Sequence, residues 1–195
     1  MKLKAFLGLA LLVLLSACDA RQTQAVKIDK YFDLVALLDQ QAELLYSQGA
    51  RVEKVLLANG EEEKMLIRPD SEGDLKNEWQ LFYEADINKL GLDDAYEVEE
   101  LPGINGSRKV ITTAKKKAAN VRLIQFDYDQ DRLSQIRILI QEKNDIYNFE
   151  KEMLLNFEWV DGQERLKYYS INGKQDMVMK SELAFALSGK VLLNP

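Results

Sequence analysis

The sequence predicts an α+β fold in which two amphipathic helices pack on a curved antiparallel β-meander sheet. Two segments before residue 92 repeat apolar residues at every third or fourth position, which indicates helices. From residue 96 onward, apolar and polar residues alternate and Asx-Gly pairs separate the runs, which indicates strands joined by tight turns. With 195 residues and a hydrophobic content of 47%, the chain is long enough for one hydrophobic core.

The first predicted helix runs from Val26 to Gln48, and Gly49 is a suitable residue for its end. Its apolar face consists of Ile28, Phe32, Val35, Leu38, Ala42 and Leu45. The same spacing fits heptads, so a coiled-coil partner is an alternative to packing on the protein's own sheet. Leu34 and Leu37 widen the apolar stripe, which favours the sheet.

A β-hairpin and a second helix are predicted between residues 52 and 91. Apolar runs at 52–57 and 64–67 flank Asn59-Gly60, a pair that tolerates the positive φ angles of a type I′ turn. The second helix begins between residues 70 and 74 and ends at Gly91. We expect its apolar side chains in the core rather than in a ligand site. They are Leu75, Trp79, Phe82, Tyr83, Ile87 and Leu90.

Eight strands are predicted in the rest of the chain, at 96–101, 108–114, 121–128, 133–141, 146–159, 165–171, 175–179 and 182–193. The turns are assigned to Asn105-Gly106, Gln130-Asp131, Asp161-Gly162 and Asn172-Gly173. Short connections make consecutive strands antiparallel. One face should be apolar, with Ile124, Phe126, Tyr128, Ile136, Ile138, Ile140, Phe149, Met153, Leu155, Phe157 and Trp159. The other should face water, with Gln125, Asp127, Gln135, Arg137, Gln141, Glu150, Glu152, Asn156 and Glu158.

The composition argues against several functions. The formal net charge of −6 argues against a nucleic-acid partner, because phosphate binding requires a basic surface. The sequence has no histidine and a single cysteine, Cys18, so the commonest general base and the commonest zinc ligand are missing. We therefore predict no catalytic, cofactor-binding or metal-binding residue, and no enzymatic activity.

Residues 1–18 resemble the export signal of a bacterial lipoprotein. A basic start at Met1–Lys4 precedes an apolar run at Ala5–Leu15, which is shorter than the roughly 20 residues of a spanning helix. The run ends in a lipobox, Leu15-Ser16-Ala17-Cys18. The resemblance implies signal cleavage between Ala17 and Cys18, lipidation of Cys18, and a membrane as the partner of that lipid.

These features divide the chain into a signal peptide at 1–17, a lipidated N-terminus and tether at 18–25, and one α+β domain at 26–195. We expect the domain in the cell envelope, facing the periplasm or the cell surface. Asp19 resembles the inner-membrane retention signal of enteric bacteria, a rule that other phyla do not follow. The sequence is therefore compatible with an anchor in either the inner or the outer membrane.

Three kinds of charged segment are candidates for a site. Asp127–Asp131 resembles the start of an EF-hand loop, but Arg132 and Ile138 stand where that loop needs glycine and glutamate. Lys115-Lys116-Lys117 could contact anionic head groups or lipopolysaccharide. Carboxylates that could serve a hydrolase cluster at Glu61-Glu62-Glu63, Asp93-Asp94 and Glu97-Glu99-Glu100. For all of them we favour solvated turns or edge strands.

A further resemblance is carried by three segments of the predicted helices: Tyr31-Phe32-Asp33-Leu34, Glu78-Trp79 and Glu84-Ala85-Asp86-Ile87-Asn88-Lys89. With the charged meander, they resemble small uncharacterised lipoproteins of Bacteroidota over most of the mature chain. The resemblance implies no catalytic or binding residue. It does imply that residues other than Asp19 direct the protein to its membrane.

Three functions are compatible with this sequence. A non-catalytic module that binds an envelope protein, glycan or lipid requires nothing that the sequence lacks. A carrier or sensor of a hydrophobic ligand would require an apolar cavity between a half-barrel sheet and the helices. A carboxylate-dependent hydrolase would require two acidic side chains that meet in a cleft. We expect the first of these.

Overall fold

The computed structural model describes residues 29–144, 146–177 and 183–193. The lipobox at 15–18, Asp19, the tether at 18–25 and the predicted helix start at Val26 and Ile28 lie outside the described residues. So do residues 178–182, which include parts of the last two predicted strands.

The described chain forms three helices and nine strands. The helices are α1 (Leu34–Ser47), α2 (Glu72–Glu78) and α3 (Gln80–Tyr83). The strands are β1 (Arg51–Ala58), β2 (Glu61–Ile67), β3 (Tyr96–Pro102), β4 (Ser107–Ala114), β5 (Val121–Asp129), β6 (Arg132–Lys143), β7 (Tyr147–Val160), β8 (Gln163–Met177) and β9 (Leu183–Leu192).

All nine strands form one sheet in the order β2-β1-β9-β8-β7-β6-β5-β4-β3, and every neighbouring pair is antiparallel. The predicted meander is therefore confirmed for β3 to β9. The hairpin β1–β2 joins the last strand, β9, which leaves β2 and β3 as the two edges. Between these edges the chain passes through α2 and α3.

The helices are shorter than the sequence predicts. Residues 29–33 are not helical, and α1 begins after Asp33, whose carboxylate accepts a hydrogen bond from the Ala36 amide at 2.9 Å. This bond satisfies one of the amides left free at a helix start. The predicted end is confirmed, because α1 ends at Ser47 and Gly49 has a φ of 65°.

The prediction of one continuous second helix that ends at Gly91 is wrong. It divides at Trp79 into α2 and α3, and residues 84–95 are not helical. Asn88 explains the early end, because its side chain bonds the distant backbone of Tyr31 while its amide donates to Asp86 at 2.9 Å. The predicted apolar face is only partly buried, since Leu90 is 80% exposed.

One predicted turn is also wrong. Asn172-Gly173 lies inside β8, which joins the two strands predicted at 165–171 and 175–179. Gly173 pairs with Phe185 of β9, and a Cβ on this glycine would lie 2.1 Å from the Phe185 ring. Glycine is therefore required here for close packing and not for a turn. The turns at Asn59-Gly60, Asn105-Gly106 and Asp161-Gly162 all have the expected positive φ angles.

The hydrophobic core lies between the helices and one face of the sheet, which we call the covered face. Its largest fully buried side chains are Trp79, Phe82 and Tyr169. The rings of Trp79 and Phe82 contact the Tyr169 ring edge-on, with centroid distances of 6.4 and 6.1 Å. Gln41 of α1 is buried with them and accepts a hydrogen bond from the Leu166 amide at 2.7 Å. This bond ties α1 to β8.

The predicted alternation is confirmed in the central strands. Eight residues of the predicted apolar face are buried there, namely Ile124, Phe126, Ile136, Ile138, Ile140, Met153, Leu155 and Phe157. Trp159 departs from this pattern and is 43% exposed near the end of β7. Its ring instead receives the guanidinium of Arg132 at 4.9 Å from the centroid, which is a cation–π contact.

Two glycines on β8 and β9 allow aromatic rings to lie across the neighbouring strand. Gly189 pairs with Tyr169, and a Cβ on Gly189 would lie 2.1 Å from the Tyr169 ring. Gly173 and Phe185 form the reverse arrangement, with the ring on β9. The two pairs fix the register of β8 against β9, because a shift of one residue would bring each ring against a side chain.

Replacing Gly189 with alanine should destabilise the domain by about 1–3 kcal/mol, since the buried Tyr169 ring would have to move. The midpoint of urea-induced unfolding measures this change. Ser188→Ala is the matched control, because Ser188 points to the opposite face, and it should change stability by less than about 0.5 kcal/mol. An unchanged midpoint for Gly189→Ala would show that the ring contact is not required.

Candidate functional site

A concavity of about 590 Å³ lies beside β9. It is lined by Leu57, Asn59, Gly60, Glu150, Glu152, Asn172, Gly173, Lys174, Ala184, Phe185 and Ala186. Ala186 is paired with Leu57 of β1 on one side and with Asn172 of β8 on the other, so these three side chains share a face. This face is opposite the covered face, and we call it the outer face.

Small side chains on β9 create the concavity. Ala184 and Ala186 are two positions apart, so both point to the outer face, between the larger Leu57 and Asn172. Leu57 is 44% exposed, although it is a large apolar residue. The result is a shallow trough with an apolar floor, which we call the β9 trough and define by Leu57, Glu150, Glu152, Asn172, Ala184 and Ala186.

Acidic and amide groups form one wall of the β9 trough. Glu152 is paired with Asn172 across β7 and β8, and its carboxylate accepts a hydrogen bond from Arg137 at 2.5 Å. Glu150 lies two residues away and accepts a bond from Gln141 at 3.5 Å. Each carboxylate therefore accepts a hydrogen bond from a side chain of β6 and still borders the trough. Lys174, the cross-strand neighbour of Glu150, also lines the concavity, so the wall offers hydrogen-bond acceptors and a cationic donor to a bound molecule.

The acidic clusters flagged in the sequence do not converge. Glu61-Glu62-Glu63 lies on the edge strand β2, and Glu97, Glu99 and Glu100 lie on the opposite edge strand, β3. Charged residues on an edge strand discourage pairing with the edge of another sheet. Asp93-Asp94 lies just before β3, where Asp94 bonds Lys30 at 2.9 Å. The prediction that these clusters lie at edges or turns is confirmed.

The acidic segment Asp127–Asp131 forms the hairpin between β5 and β6, with Gln130 and Asp131 at φ angles of 49° and 62°. Asp127 lies 3.3 Å from Lys109, and Asp131 lies 3.2 Å from Arg108. These carboxylates therefore bind cationic side chains of β4. Among the described residues, no group of three or more acidic or cysteine side chains is placed to hold a metal ion.

A buried polar cluster on the covered face was not predicted. Glu78, the last residue of α2, accepts a hydrogen bond from the Tyr169 hydroxyl at 2.6 Å and pairs with Lys54 of β1 at 2.8 Å. Burial, followed by the bond to Glu78, raises the pKa of Tyr169 far above its usual value, so the hydroxyl stays protonated and donates. Glu78 follows the buried Leu75 by three residues, and this spacing is the one signal by which the sequence could have indicated its position beside the core.

A second feature missed in the sequence is the clip formed by Asn88. Its side chain accepts a hydrogen bond from the Tyr31 amide at 2.9 Å and donates to the Tyr31 and Phe32 carbonyls at 3.1 and 3.2 Å. The Tyr31 hydroxyl donates in turn to the Asp93 carbonyl at 2.9 Å. Residues 30–32 are thereby held against the segment that leads into β3.

Within the described parts of the chain, no helix has the length and apolar character needed to span a membrane. The sequence matches none of the protein-family models with which it was compared, and no curated protein is significantly similar to it.

Proposed function

We propose that the protein is a lipoprotein of the bacterial cell envelope, anchored by lipid on Cys18, whose domain binds another envelope component without catalysis. The observation that carries the binding role is the β9 trough, a concavity of about 590 Å³ on the outer face. Binding sites combine an apolar surface with a few polar groups that orient the ligand. The trough has both, with Leu57 and two alanines beside Glu150, Glu152 and Asn172.

The chemistry of the trough favours a protein segment. Leu57, Ala184 and Ala186 suit one apolar side chain, and the carboxylates suit amide or cationic donors beside it. A glycan would require an open aromatic ring on which a sugar can stack. Phe185 is the aromatic residue in the lining, and its ring covers Gly173 across the strand.

The other two functions have less support. A carrier of a hydrophobic ligand needs space between the helices and the sheet, where Trp79, Phe82 and Tyr169 pack with no exposed surface. A hydrolase needs two carboxyl groups across a cleft. Glu150 and Glu152 share one strand, about 7 Å apart along it, and lie on an open face.

Filling the trough should prevent binding. Ala186→Phe places a ring over the apolar floor, and we expect the bound fraction of the partner to fall by at least about tenfold. The measurement is photo-cross-linking from residue 172 in the bacterium that makes the protein, followed by mass spectrometry of the captured proteins.

Thr113→Phe is the matched control. Thr113 also lies on the outer face, but on β4, which is far from the trough in the strand order. It should leave the capture unchanged. If Ala186→Phe captured the same proteins in the same amounts as the unmodified chain, the trough would not be the binding site.

A further inference from the structure

The described chain begins at one end of the sheet. Lys30 pairs with Asp94 at 2.9 Å and also donates to the Asp93 carbonyl. The Lys115 amide donates to the Ala95 carbonyl at 2.8 Å. The start of the described chain and the Lys115-Lys116-Lys117 loop therefore lie against the same three residues, 93–95. We call this surface the tether end and define it by Lys30, Asp93–Ala95 and Lys115–Lys117.

The loop that carries the three lysines is held by its backbone. Arg122 of β5 donates to the carbonyls of Lys116 and Ala119 at 2.8 and 3.1 Å, which ties the main chain of the loop to the start of β5. The lysine side chains are exposed. Within the described residues, none of the three takes part in an ion pair. The three charges are therefore exposed, and the pKa of Asp94 is lowered by Lys30 and further by the charges of Lys115 and Lys116.

Two arginines at the opposite end of the sheet pair with acidic side chains. Arg108 pairs with Asp131 and Glu100 and lies over the Tyr128 ring at 3.9 Å. Arg165 pairs with Glu158 at 2.6 Å in the same way. Exposed lysines such as Lys167 and Lys190 also occur there, but the run of three consecutive exposed lysines lies at the tether end.

The proposed anchor makes this position significant. Asp29 follows Cys18 by eleven residues, so the two are at most about 40 Å apart. A lipid on Cys18 would keep the tether end near the bilayer, but a tether of this length would not orient the domain. Anionic head groups attract lysines within a Debye length of the surface. We propose that the tether end docks on anionic phospholipid and orients the domain with the lysine loop toward the bilayer.

Two further features bear on this proposal, which rests on the lipid anchor. Asp93, Asp94 and Glu97 lie at the same end and offset part of the attraction, although Lys30 already neutralises Asp94. Ile146, in the connection between β6 and β7, is 64% exposed. The Gln141 amide donates to the Asn120 carbonyl at 2.8 Å and ties that hairpin to the end of the lysine loop.

The test places one fluorescent label at either end of the lipidated protein. Cys18 is the one cysteine of the chain, so an added cysteine reacts alone once lipid occupies Cys18. Ile146→Cys marks the tether end and Ile104→Cys marks the opposite end, where Ile104 is 82% exposed. Each protein is reconstituted into vesicles of phosphatidylcholine, with or without phosphatidylglycerol, that contain a head-group quencher.

Anionic vesicles should quench the label at position 146 about fivefold more than neutral vesicles, which is the effect of one net lysine charge near the surface. High salt should abolish the difference, and the label at position 104 should show none. Replacing Lys115, Lys116 and Lys117 with glutamine should abolish it as well. The control is Lys167→Gln with Lys190→Gln, two exposed lysines of β8 and β9.

Equal quenching in both kinds of vesicle, or a difference that survives the triple substitution, would overturn the docking proposal. A failed anchor gives a separate result, because the protein would then not float with vesicles of either composition. The two proposals can therefore fail independently.

Discussion

Replacing Cys18 with serine is expected to transfer the protein from the membrane fraction to the soluble fraction. A serine hydroxyl does not form the thioether that holds diacylglycerol in a lipoprotein. Each buried methylene of an acyl chain contributes about 0.8 kcal/mol to membrane binding, so the loss of two or three chains should change partitioning by many orders of magnitude. Immunoblotting of membranes after a carbonate wash measures the effect.

Asp19→Ser is the matched control, because it changes the next residue and leaves the lipobox intact. The Asp19→Ser protein should remain in the membrane fraction, whether it is anchored in the inner or the outer membrane. Mass spectrometry of the mature N-terminus should find acyl chains on Cys18 in this control and in the unmodified protein. A Cys18→Ser protein that loses its leader and still resists the carbonate wash would contradict the lipobox interpretation.

Replacing Glu78 with alanine is expected to cost about 3–5 kcal/mol of folding stability, the range measured when one partner of a buried ion pair is removed. The side chains of Glu78 and Lys54 are only 8% and 18% exposed. The change would leave the Lys54 ammonium and the Tyr169 hydroxyl without their acceptor beneath α2. The total free energy of unfolding of a domain is about 5–15 kcal/mol, so the expected loss is a large share of it.

Urea-induced unfolding, followed by the fluorescence of the adjacent Trp79, measures the loss. Glu78→Gln retains an oxygen for Tyr169 and should be less damaging than alanine. Glu152→Ala removes the partner of Arg137 where both side chains are more than 40% exposed, and it should cost less than about 1 kcal/mol. Equal losses for Glu78→Ala and Glu152→Ala would show that the buried cluster does not hold α2 on the sheet.

Local signals predicted most of the sheet. Asn59-Gly60 and Asp161-Gly162 form turns because their conformation depends on the two residues themselves. The same signal failed at Asn172-Gly173, where the decisive contact is the ring of Phe185 from the next strand. The second helix failed for a similar reason, since Asn88 binds the backbone of Tyr31, more than fifty positions earlier.

The candidate site was less predictable than the fold. Charge runs such as Glu61-Glu62-Glu63 are conspicuous in the sequence, yet this run lies on an edge strand of the sheet and not in the candidate site. The β9 trough is formed by ordinary residues, and Leu57 and Ala186 are remote in sequence. Only the pairing of β1 with β9 brings them together.

The sequence by itself determined the antiparallel meander and carries the case for the lipid anchor. Alternation and turns are local properties, and the lipobox is a run of four consecutive residues. Only the tertiary structure decided the joining of β1 to β9, the buried Glu78 cluster, and the position of the lysine loop beside residues 93–95. These features depend on contacts between distant segments, and such contacts are set by the packing of the whole sheet.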